Sequence, residues 1–292
     1  MKGIILAGGS GSRLYPLTIG VSKQLLPIHD KPMIFYPLSI LMLAGIRDIL
    51  IISTEKDQKS FKNLLGNGKK LGCKFSYIAQ KKPNGLAEAF IIGEKFIGNS
   101  KVALILGDNI FYGKGLGKTL RSQINNHGAT VFACQVKDPE NYGVVEFDKN
   151  NKVVSIEEKP KYPRSSYIIP GLYFYDKNVS SYAKMITPSE RGELEITSLN
   201  NIYFKNNELN LKVLDRGLTW LDTGTFESMH SANDFVRVIE NKTGNKVACV
   251  EEVAFLCNYI GEAELEYHIE KYAKSQYGLY LKKILNRNKN ND

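Results

Sequence analysis

A glycine-rich turn follows the first apolar segment of the chain and ends in an arginine. Residues 2–13 read KGIILAGGSGSR, so Gly8, Gly9 and Gly11 stand between a short apolar run and Arg13. Glycines let a backbone approach an anion closely with its N–H groups directed inward, and an arginine can donate two charge-assisted hydrogen bonds to phosphate oxygens. These residue types predict a phosphate-binding turn; an ordinary strand-to-helix connection is the alternative.

Two better-known phosphate loops do not fit the spacing. A dinucleotide fingerprint needs a third glycine three positions after Gly11, where the chain has Leu14. A Walker A loop whose second glycine is Gly117 needs another glycine five residues earlier, where the chain has Tyr112. A phosphate site at the first turn would therefore be of a different kind.

Two aspartates come directly after short apolar segments. Asp108 follows Val102–Gly107, and Asp222 follows Trp220 and Leu221. A carboxylate at the carboxyl end of a buried strand is well placed to hold Mg²⁺ against phosphate oxygens, because Mg²⁺ prefers oxygen ligands and retains waters. We expect both aspartates to be metal ligands, with a helix cap as the structural alternative for Asp108.

A lysine and two glutamines complete the candidate polar residues. Lys23 lies just beyond the glycine-rich turn, where its ammonium could neutralise charge that develops on a phosphate leaving group. A solvated loop lysine is the alternative. Gln24 and Gln80 each offer a hydrogen-bond donor and an acceptor, which is what the O–C–N–H edge of thymine or uracil requires.

The composition favours a protein that binds a small anionic molecule. The formal net charge is +9 over 292 residues, but the lysines are spread along the chain, so we expect no nucleic-acid partner. No apolar run reaches the ~18 residues of a membrane span, which predicts a cytoplasmic protein without membrane contact. The four cysteines lack C-x-x-C spacing, which argues against a disulfide framework or a cysteine metal site.

The first half of the chain alternates apolar strands with amphipathic helices, the pattern of a parallel sheet. Strands are predicted at Gly3–Ala7, Asp48–Thr54, Phe75–Gln80 and Val102–Gly107, with helices near Pro32–Ala44, Lys59–Leu65 and Ala87–Phe96. Ligands of such sheets bind beyond the carboxyl ends of the strands. We therefore expect three segments to meet along one rim: Gly8–Arg13, Gln80–Gly85 and Asp108-Asn109.

The second half has shorter, alternating strands and then a helical tail. Beyond Thr130 the pattern predicts a smaller antiparallel extension, so that two subdomains share one cleft. Apolar residues at helical spacing in 262–285 predict a terminal helical segment that packs on the chain's own body or on another subunit. The predicted division is a catalytic domain over 1–240, in halves 1–128 and 129–240, and a helical segment over 241–292.

Sequence segments along nearly the whole chain resemble the sugar-1-phosphate nucleotidylyltransferase family. The segment SKQLLPI from Ser22, followed by DKPM from Asp30, is similar to the second signature of that family. Further segments occur in the family's order: QKKPNGLAEAF from Gln80, LGDNIFYG from Leu106, YGVVEF from Tyr142, EEKP from Glu157, RGELEIT from Arg191 and WLDTGT from Trp220.

The resemblance implies a fold and an activity. The expected fold is α/β, a Rossmann-like nucleotide-diphospho-sugar transferase fold with a central, mostly parallel mixed sheet flanked by helices. The expected activity is Mg²⁺-dependent transfer of a thymidylyl group from dTTP to glucose 1-phosphate, which gives dTDP-glucose and pyrophosphate. The resemblance is to the short form of this branch, a homotetramer built as a dimer of dimers that serves dTDP-deoxysugar pathways such as dTDP-rhamnose and polysaccharide biosynthesis.

Two other functions remain open. UTP could replace dTTP, since thymine and uracil share a pairing edge and differ by one methyl group, worth only ~1–3 kcal/mol in an apolar pocket. A non-catalytic nucleotide-sugar sensor would be expected to lose Lys23, Asp108 or Asp222 first, and all three are present.

The resemblance also assigns residues to roles. Nucleotide binding falls to Leu6, Gly8, Gly9, Gly11, Arg13, Lys23, Gln24, Gln80, Pro83, Gly85 and Asp108, with Gln80 and Gly85 at the base. Sugar-phosphate binding falls to Asn109, Tyr142, Gly143, Glu158, Lys159, Ile169 and Arg191. The predicted catalytic groups are Arg13, Lys23, Asp108, Lys159, Arg191 and Asp222, with Asp108 and Asp222 holding Mg²⁺.

The chemistry of the sugar side agrees with this assignment. Glu158 can accept hydrogen bonds from two sugar hydroxyls, while Lys159 and Arg191 can hold the phosphate that attacks. Two positions depart from the family pattern beside expected contacts: Glu88, where glutamine is common, and Pro170, where threonine is common.

Overall fold

A ten-stranded mixed sheet forms the centre of the computed structural model, which describes residues 1–289. The strands of the chain are β1 (Lys2–Ala7), β2 (Pro27–Ile28), β3 (Lys31–Pro32), β4 (Asp48–Ser53), β5 (Lys74–Ala79), β6 (Val102–Leu106), β7 (Asn109–Tyr112), β8 (Ala129–Gln135), β9 (Gly143–Phe147), β10 (Val153–Glu158), β11 (Tyr167–Ile168), β12 (Leu172–Tyr175), β13 (Leu209–Val213) and β14 (Thr219–Asp222).

Within residues 1–289, eleven α-helices pack around the sheets or follow them. They are α1 (Phe35–Leu43), α2 (Gln58–Leu65), α3 (Glu88–Ile92), α4 (Glu94–Ile97), α5 (Leu116–Gln123), α6 (Val179–Ala183), α7 (Ile196–Lys205), α8 (Phe226–Thr243), α9 (Val250–Leu256), α10 (Glu262–Lys271) and α11 (Gln276–Lys289). Short 3₁₀ helices cover Ser12–Leu14, Lys23–Leu25, Lys69–Leu71 and Pro139–Asn141.

The first half of the sheet is parallel, as predicted. Strands β6, β1, β4 and β5 lie side by side in that order, and Ile5 of β1 pairs with Ile51 on one side and Ile105 on the other. All three isoleucines are fully buried. Continuous aliphatic strands of this kind are typical of a sheet that is covered by helices on both faces. The predicted α/β class is confirmed.

The antiparallel half continues the same sheet. Strand β12 pairs antiparallel with β6 on one side and with β8 on the other, and β9, β10 and β11 extend the sheet beyond β8. The buried aromatic residues Tyr173 and Tyr175 of β12 stack on each other, and Tyr175 contacts Phe90 and Tyr203 from two helices. Within the sheet, β12 is thus the strand that connects the parallel strands to the antiparallel ones.

The helix predicted over Ala87–Phe96 is divided into α3 and α4 at Gly93. A Cβ atom on Gly93 would lie 2.8 Å from the carbonyl oxygen of Ala89 and 3.2 Å from Cδ1 of Ile4. Glycine lets the helix pack closely on β1 at this point, and the helix breaks where it does so.

The helical tail begins earlier than predicted and packs on the body of the protein. Helix α8 starts at Phe226 with a capping box between Thr225 and Ser228, and it runs across the predicted boundary at residue 240. The tail splits into α10 and α11, whose Leu265 and Leu285 join the main core. The division of the chain into domains stays a prediction, and residues 290–292 of the predicted segment lie outside the described residues.

Candidate active site

A cavity of about 490 Å³ opens where the strands of both sheet halves end. It is lined by 18 of the 19 residues to which the sequence assigned binding or catalytic roles: Leu6, Gly9, Gly11, Arg13, Lys23, Gln24, Gln80, Pro83, Gly85, Asp108, Asn109, Tyr142, Gly143, Glu158, Lys159, Ile169, Arg191 and Asp222. Gly8 does not line the cavity but packs closely against Gln80, since a Cβ atom on Gly8 would be 2.3 Å from Gln80 Oε1. Residues that are far apart in the sequence therefore share one cleft.

The glycine-rich turn forms one wall of this cavity. Gly11 has φ of 65°, in the left-handed region that favours glycine, and its carbonyl accepts a 2.7 Å hydrogen bond from the Thr18 hydroxyl. Arg13 reaches across to the end of β14. A Cβ atom on Gly224 would lie 3.2 Å from Arg13 Nη2 and 3.0 Å from Asp222 Oδ2, so a larger residue there would crowd both groups.

Lys23 and Asp108 form an ion pair at the centre of the cavity. The Lys23 ammonium donates to Asp108 Oδ2, and Asn109 Nδ2 donates to Asp108 Oδ1 at 3.0 Å. Burial alone would raise the pKa of Asp108, but the Lys23 ammonium and these hydrogen bonds hold it below its ordinary value. Asp108 is therefore a carboxylate, and the alternative role of helix cap is not needed to explain its position.

Asp222 stands on the strand beside Asp108 and carries the opposite shift. Its neighbour across the β7–β14 pair is Asn109. Burial and repulsion from Asp108 raise the pKa of Asp222, and Lys23 and Arg13 offset only part of that effect. Two carboxylates are thus held close enough to repel each other.

This donor set fits Mg²⁺. A hard divalent cation accepts carboxylate oxygens and relieves their mutual repulsion. Within residues 1–289, no group of three or more histidine, cysteine, aspartate or glutamate side chains is arranged to hold a metal ion. Asp108 and Asp222 would therefore share the ion with oxygens of the substrate and water.

Two glutamine carboxamides lie near the ends of β1 and β5. Gln24 Oε1 accepts a 2.7 Å hydrogen bond from the Ser22 hydroxyl, and Gln80 Nε2 donates a 2.6 Å hydrogen bond to Glu88. Both glutamines are buried. Each carboxamide therefore has one end committed to the protein and the other available to the cavity.

The loop after Gln80 is pinned to a distant segment. Gly85 has φ of 108°, and a Cβ atom there would lie 2.4 Å from the carbonyl oxygen of Leu194. The amide of Leu194 donates in turn to the carbonyl of Asn84 at 2.7 Å. This close approach of two backbones is possible only with glycine at position 85.

The opposite side of the cavity is built from the antiparallel strands. The amide of Ile169 donates to the carbonyl of Gly143 at 2.8 Å, and the amide of Lys159 donates to the carbonyl of Tyr142 at 3.0 Å. Lys159 has φ of 43°, which is uncommon for a residue with a side chain. Such backbone strain is concentrated at functional sites, so this observation favours a role for Lys159 beyond that of a solvated lysine.

Glu158 and Arg191 lie at the same end, joined to partners that the sequence did not single out. Glu158 accepts a hydrogen bond from the Thr197 hydroxyl. Arg191 Nη2 lies 2.8 Å from Glu195 Oε1 and 3.3 Å from Glu158 Oε1. Glu195 and Thr197 both belong to the family segment RGELEIT, so the sequence did point to this segment. Only the fold shows that Thr197 contacts Glu158 and that Glu195 contacts Arg191.

Asn109 is held mainly by the protein. Its Oδ1 accepts from Trp220 Nε1 at 2.6 Å and from the amide of Gly171 at 3.0 Å, while its Nδ2 donates to Asp108. The side chain thus connects β7, β14 and the start of β12 beneath the cavity. A contact with the sugar stays a prediction that relies on the one remaining N–H of Nδ2.

Comparisons with known proteins agree with the fold and the site. Residues 2–238 match the nucleotidyl transferase family model. Proteins named glucose-1-phosphate thymidylyltransferase are 56% identical in Neisseria meningitidis, over 98% of this chain and 100% of that protein, and 55% identical in Mycolicibacterium smegmatis, over 98% and 100%.

A solved structure has the same fold. A Bacillus anthracis protein crystallised with sucrose superposes with a TM-score of 0.75 at 43% identity, and the match covers 81% of this chain and 95% of that one. The family predicted from the sequence is confirmed: the chain belongs to the nucleotidyl transferase family.

Proposed function

We propose that the protein is a Mg²⁺-dependent glucose-1-phosphate thymidylyltransferase. A phosphate oxygen of glucose 1-phosphate attacks the α-phosphorus of dTTP, the bond from that phosphorus to the bridging oxygen breaks, and dTDP-glucose and pyrophosphate form. Relatives that are more than half identical over their full length are named glucose-1-phosphate thymidylyltransferase, which supports this proposal.

One observation of the structure carries the proposal. The Lys23–Asp108 pair, Asp222 and Arg13 stand in the same cavity as Gln80 at the end of β5 and Glu158 at the end of β10. These two strands lie at opposite ends of the sheet order, with β1 and β6 between them. The cavity can therefore hold a base at one end and a sugar at the other, with the phosphates across the charged centre.

The reaction requires alignment and charge neutralisation more than proton transfer. The attacking phosphate is already an anion near neutral pH, so no general base is needed. Lys23 and Arg13 are the groups that we expect to stabilise negative charge on the triphosphate, and Lys159 and Arg191 those that position the attacking phosphate. When bound by Asp108 and Asp222, Mg²⁺ would neutralise triphosphate charge.

UTP remains the second candidate for the nucleotide, because the Gln80 carboxamide reads an edge that thymine and uracil share. The sensor hypothesis is less well supported, since Lys23, Asp108 and Asp222 all line the cavity.

We also propose that the protein is a cytoplasmic homotetramer that supplies dTDP-deoxysugar synthesis, for example the synthesis of dTDP-rhamnose. Sedimentation at several protein concentrations tests the assembly.

A pyrophosphate-release assay tests the reaction. Glucose 1-phosphate and Mg²⁺ are supplied with dTTP, UTP, ATP, CTP or GTP in turn, and we expect the highest kcat/KM with dTTP. A higher kcat/KM with UTP would mean that UTP, and not dTTP, is the nucleotide substrate of the same reaction. No pyrophosphate release with any nucleotide would favour the sensor hypothesis. The variant Asp234→Asn is a matched control for substitutions of Asp222, because Asp234 is an exposed aspartate of α8 paired only with Arg237 among the residues described.

A further inference from the structure

Glu88 lies outside the charged centre of the cavity, yet it holds the side chain expected to read the base. Its Oε2 accepts from Gln80 Nε2 at 2.6 Å, and its Oε1 accepts from Asn84 Nδ2 at 2.8 Å. Both partners are neutral carboxamides, and Glu88 does not itself line the cavity. The carboxylate is thus used entirely to receive N–H groups.

An ionised carboxylate can only accept hydrogen bonds, and this decides which way Gln80 faces. If the Gln80 carboxamide were reversed, its Oε1 would meet a Glu88 oxygen at hydrogen-bond distance, and two acceptors would repel. Nε2 must therefore face Glu88. Oε1 then lies next to Gly8 of the glycine-rich turn, and Gln80 itself lines the cavity.

Ser22 does not restrict Gln24 in the same way. A hydroxyl can donate to Gln24 Oε1, as it does here at 2.7 Å, or accept from Nε2 if the carboxamide is reversed. Glu88 is therefore the group that gives one of the two carboxamides a single direction.

We propose that Glu88 is a positioning residue that selects the base by fixing the Gln80 carboxamide. With Nε2 tied to Glu88, Gln80 presents Oε1 as an acceptor, and one N–H of Nε2 remains beside it as a donor. This pair matches N3–H and an adjacent carbonyl of thymine or uracil. Cytosine has an unprotonated N3 and a neighbouring amino group, so it meets the carboxamide donor to donor and acceptor to acceptor. The inference rests on the proposed function, since it names a selectivity of the same site.

Replacing Glu88 by glutamine should allow the Gln80 carboxamide to face either way, while the hydrogen bonds of residue 88 to Gln80 and Asn84 are kept. A carboxamide at position 88 can accept from Gln80 and donate to Asn84, or do the reverse, and both networks satisfy every group. Adding Asn84→Asp should restore one direction. The carboxylate at position 84 can only accept from the new carboxamide, whose oxygen is then left to accept from Gln80 Nε2.

The experiment compares wild type, Glu88→Gln, Glu88→Ala and the double variant Asn84→Asp/Glu88→Gln. The measurements are KM for dTTP, the inhibition constant of dCTP against dTTP, KM for glucose 1-phosphate and kcat. We expect the ratio of the dCTP inhibition constant to the dTTP KM to fall about tenfold in both single variants, the equivalent of one lost hydrogen-bond preference. KM for glucose 1-phosphate and saturated kcat should change little, and the double variant should recover most of the ratio. Glu94→Gln is the control, because Glu94 is an exposed glutamate paired with Lys184.

An unchanged ratio in a folded Glu88→Gln or Glu88→Ala variant would overturn the proposal, as would a folded double variant that recovers nothing. A purely structural role would lower kcat and affect both substrates, and the double variant would not repair it. If wild type releases no pyrophosphate from dTTP, the proposed function fails instead. Calorimetric binding of dTTP and dCTP to the same four proteins then decides the role of Glu88 by the same ratio.

Discussion

Two buried lysines eight residues apart each stand in a cluster of four charged groups, but only one of the two clusters lies in the cavity. Lys23 is paired with Asp108 in the cavity, where Asp222 adds a second negative charge and Arg13 a second positive one. Lys31 lies under α8, where Asp30, Glu240 and Lys246 complete a cluster with two charges of each sign. The side chains of the two lysines are 9% and 1% exposed, so burial alone does not separate them.

The pKa shifts of their neighbours separate the two lysines. In the cluster under α8, burial opposes the charge of Asp30, but Lys31 and Lys246 outweigh it and lower the pKa of Asp30, and the carboxylates likewise raise the pKa of Lys246. Each of these two groups is therefore held in its charged form. In the cavity, burial and the charge of Asp108 both raise the pKa of Asp222, which favours its neutral form. The first set of charges is complete without a ligand, while the second is relieved by a bound cation.

The largest effect is expected from Lys31→Met. Removing Lys31 leaves two carboxylates of a buried ion cluster, Asp30 and Glu240, to share the single ammonium of Lys246, which should lower the free energy of unfolding by about 3–5 kcal/mol. Urea denaturation measures this loss. The folded fraction should keep its kcat, and a variant of wild-type stability with impaired kcat would reverse our assignment of the two lysines.

Lys23→Ala should produce the converse result. We expect kcat to fall by on the order of 10²–10³-fold, because the ammonium interacts most strongly with charge that develops as the α–β bond breaks. Steady-state kinetics with dTTP varied at saturating glucose 1-phosphate measures this effect, and urea denaturation should detect a smaller loss of stability than in Lys31→Met. A change confined to KM for glucose 1-phosphate would mean that Lys23 faces the other substrate.

Asp222→Asn tests whether the Asp222 carboxylate, whose pKa is raised, is a ligand of the metal ion. Turnover should fall by on the order of 10²-fold, because a neutral amide is a poor ligand for Mg²⁺. The metal-free protein should be no less stable than wild type, since the substitution removes repulsion from Asp108. Asp108→Asn should also lower turnover, but it breaks the ion pair with Lys23 and should cost stability. Near-full activity of folded Asp222→Asn with Mg²⁺ alone would remove Asp222 from the metal site.

The sequence predicted which residues line the cavity better than it predicted which residues contact one another. The strands β1, β4, β5 and β6 and the glycine-rich turn follow from local patterns of apolar residues and glycine. The pairing of Lys31 with Glu240 joins residues 209 positions apart, and no local pattern encodes such a contact. The same holds for the pairing of β12 with β6 and β8 and for the contact of Gly85 with Leu194, because both depend on how distant segments pack. Lys23 and Lys31 stand in one family segment, and only the fold distinguishes them.

A third lysine extends the comparison to an exposed position and gives the smallest effect. Lys159 is exposed at the rim, held at φ of 43° by the end of β10, and free of ion pairs within residues 1–289. Because it is already solvated, its removal should weaken capture of the attacking phosphate without uncovering a buried charge. Lys159→Ala should therefore raise KM for glucose 1-phosphate about tenfold and leave KM for dTTP and the free energy of unfolding nearly unchanged.

The matched control for this last variant is Lys161→Ala. Lys161 lies two residues further along the chain, is also exposed, and contacts only the ring of Tyr162 among the interactions described. Kinetics with each substrate varied in turn should show a change in Lys159→Ala alone. If both variants raise KM for glucose 1-phosphate to the same extent, the effect belongs to the general positive charge of the rim, and the left-handed backbone of Lys159 has no specific role. If Lys159→Ala disturbs saturation by dTTP instead, the base and the sugar occupy the opposite ends of the cavity from those proposed.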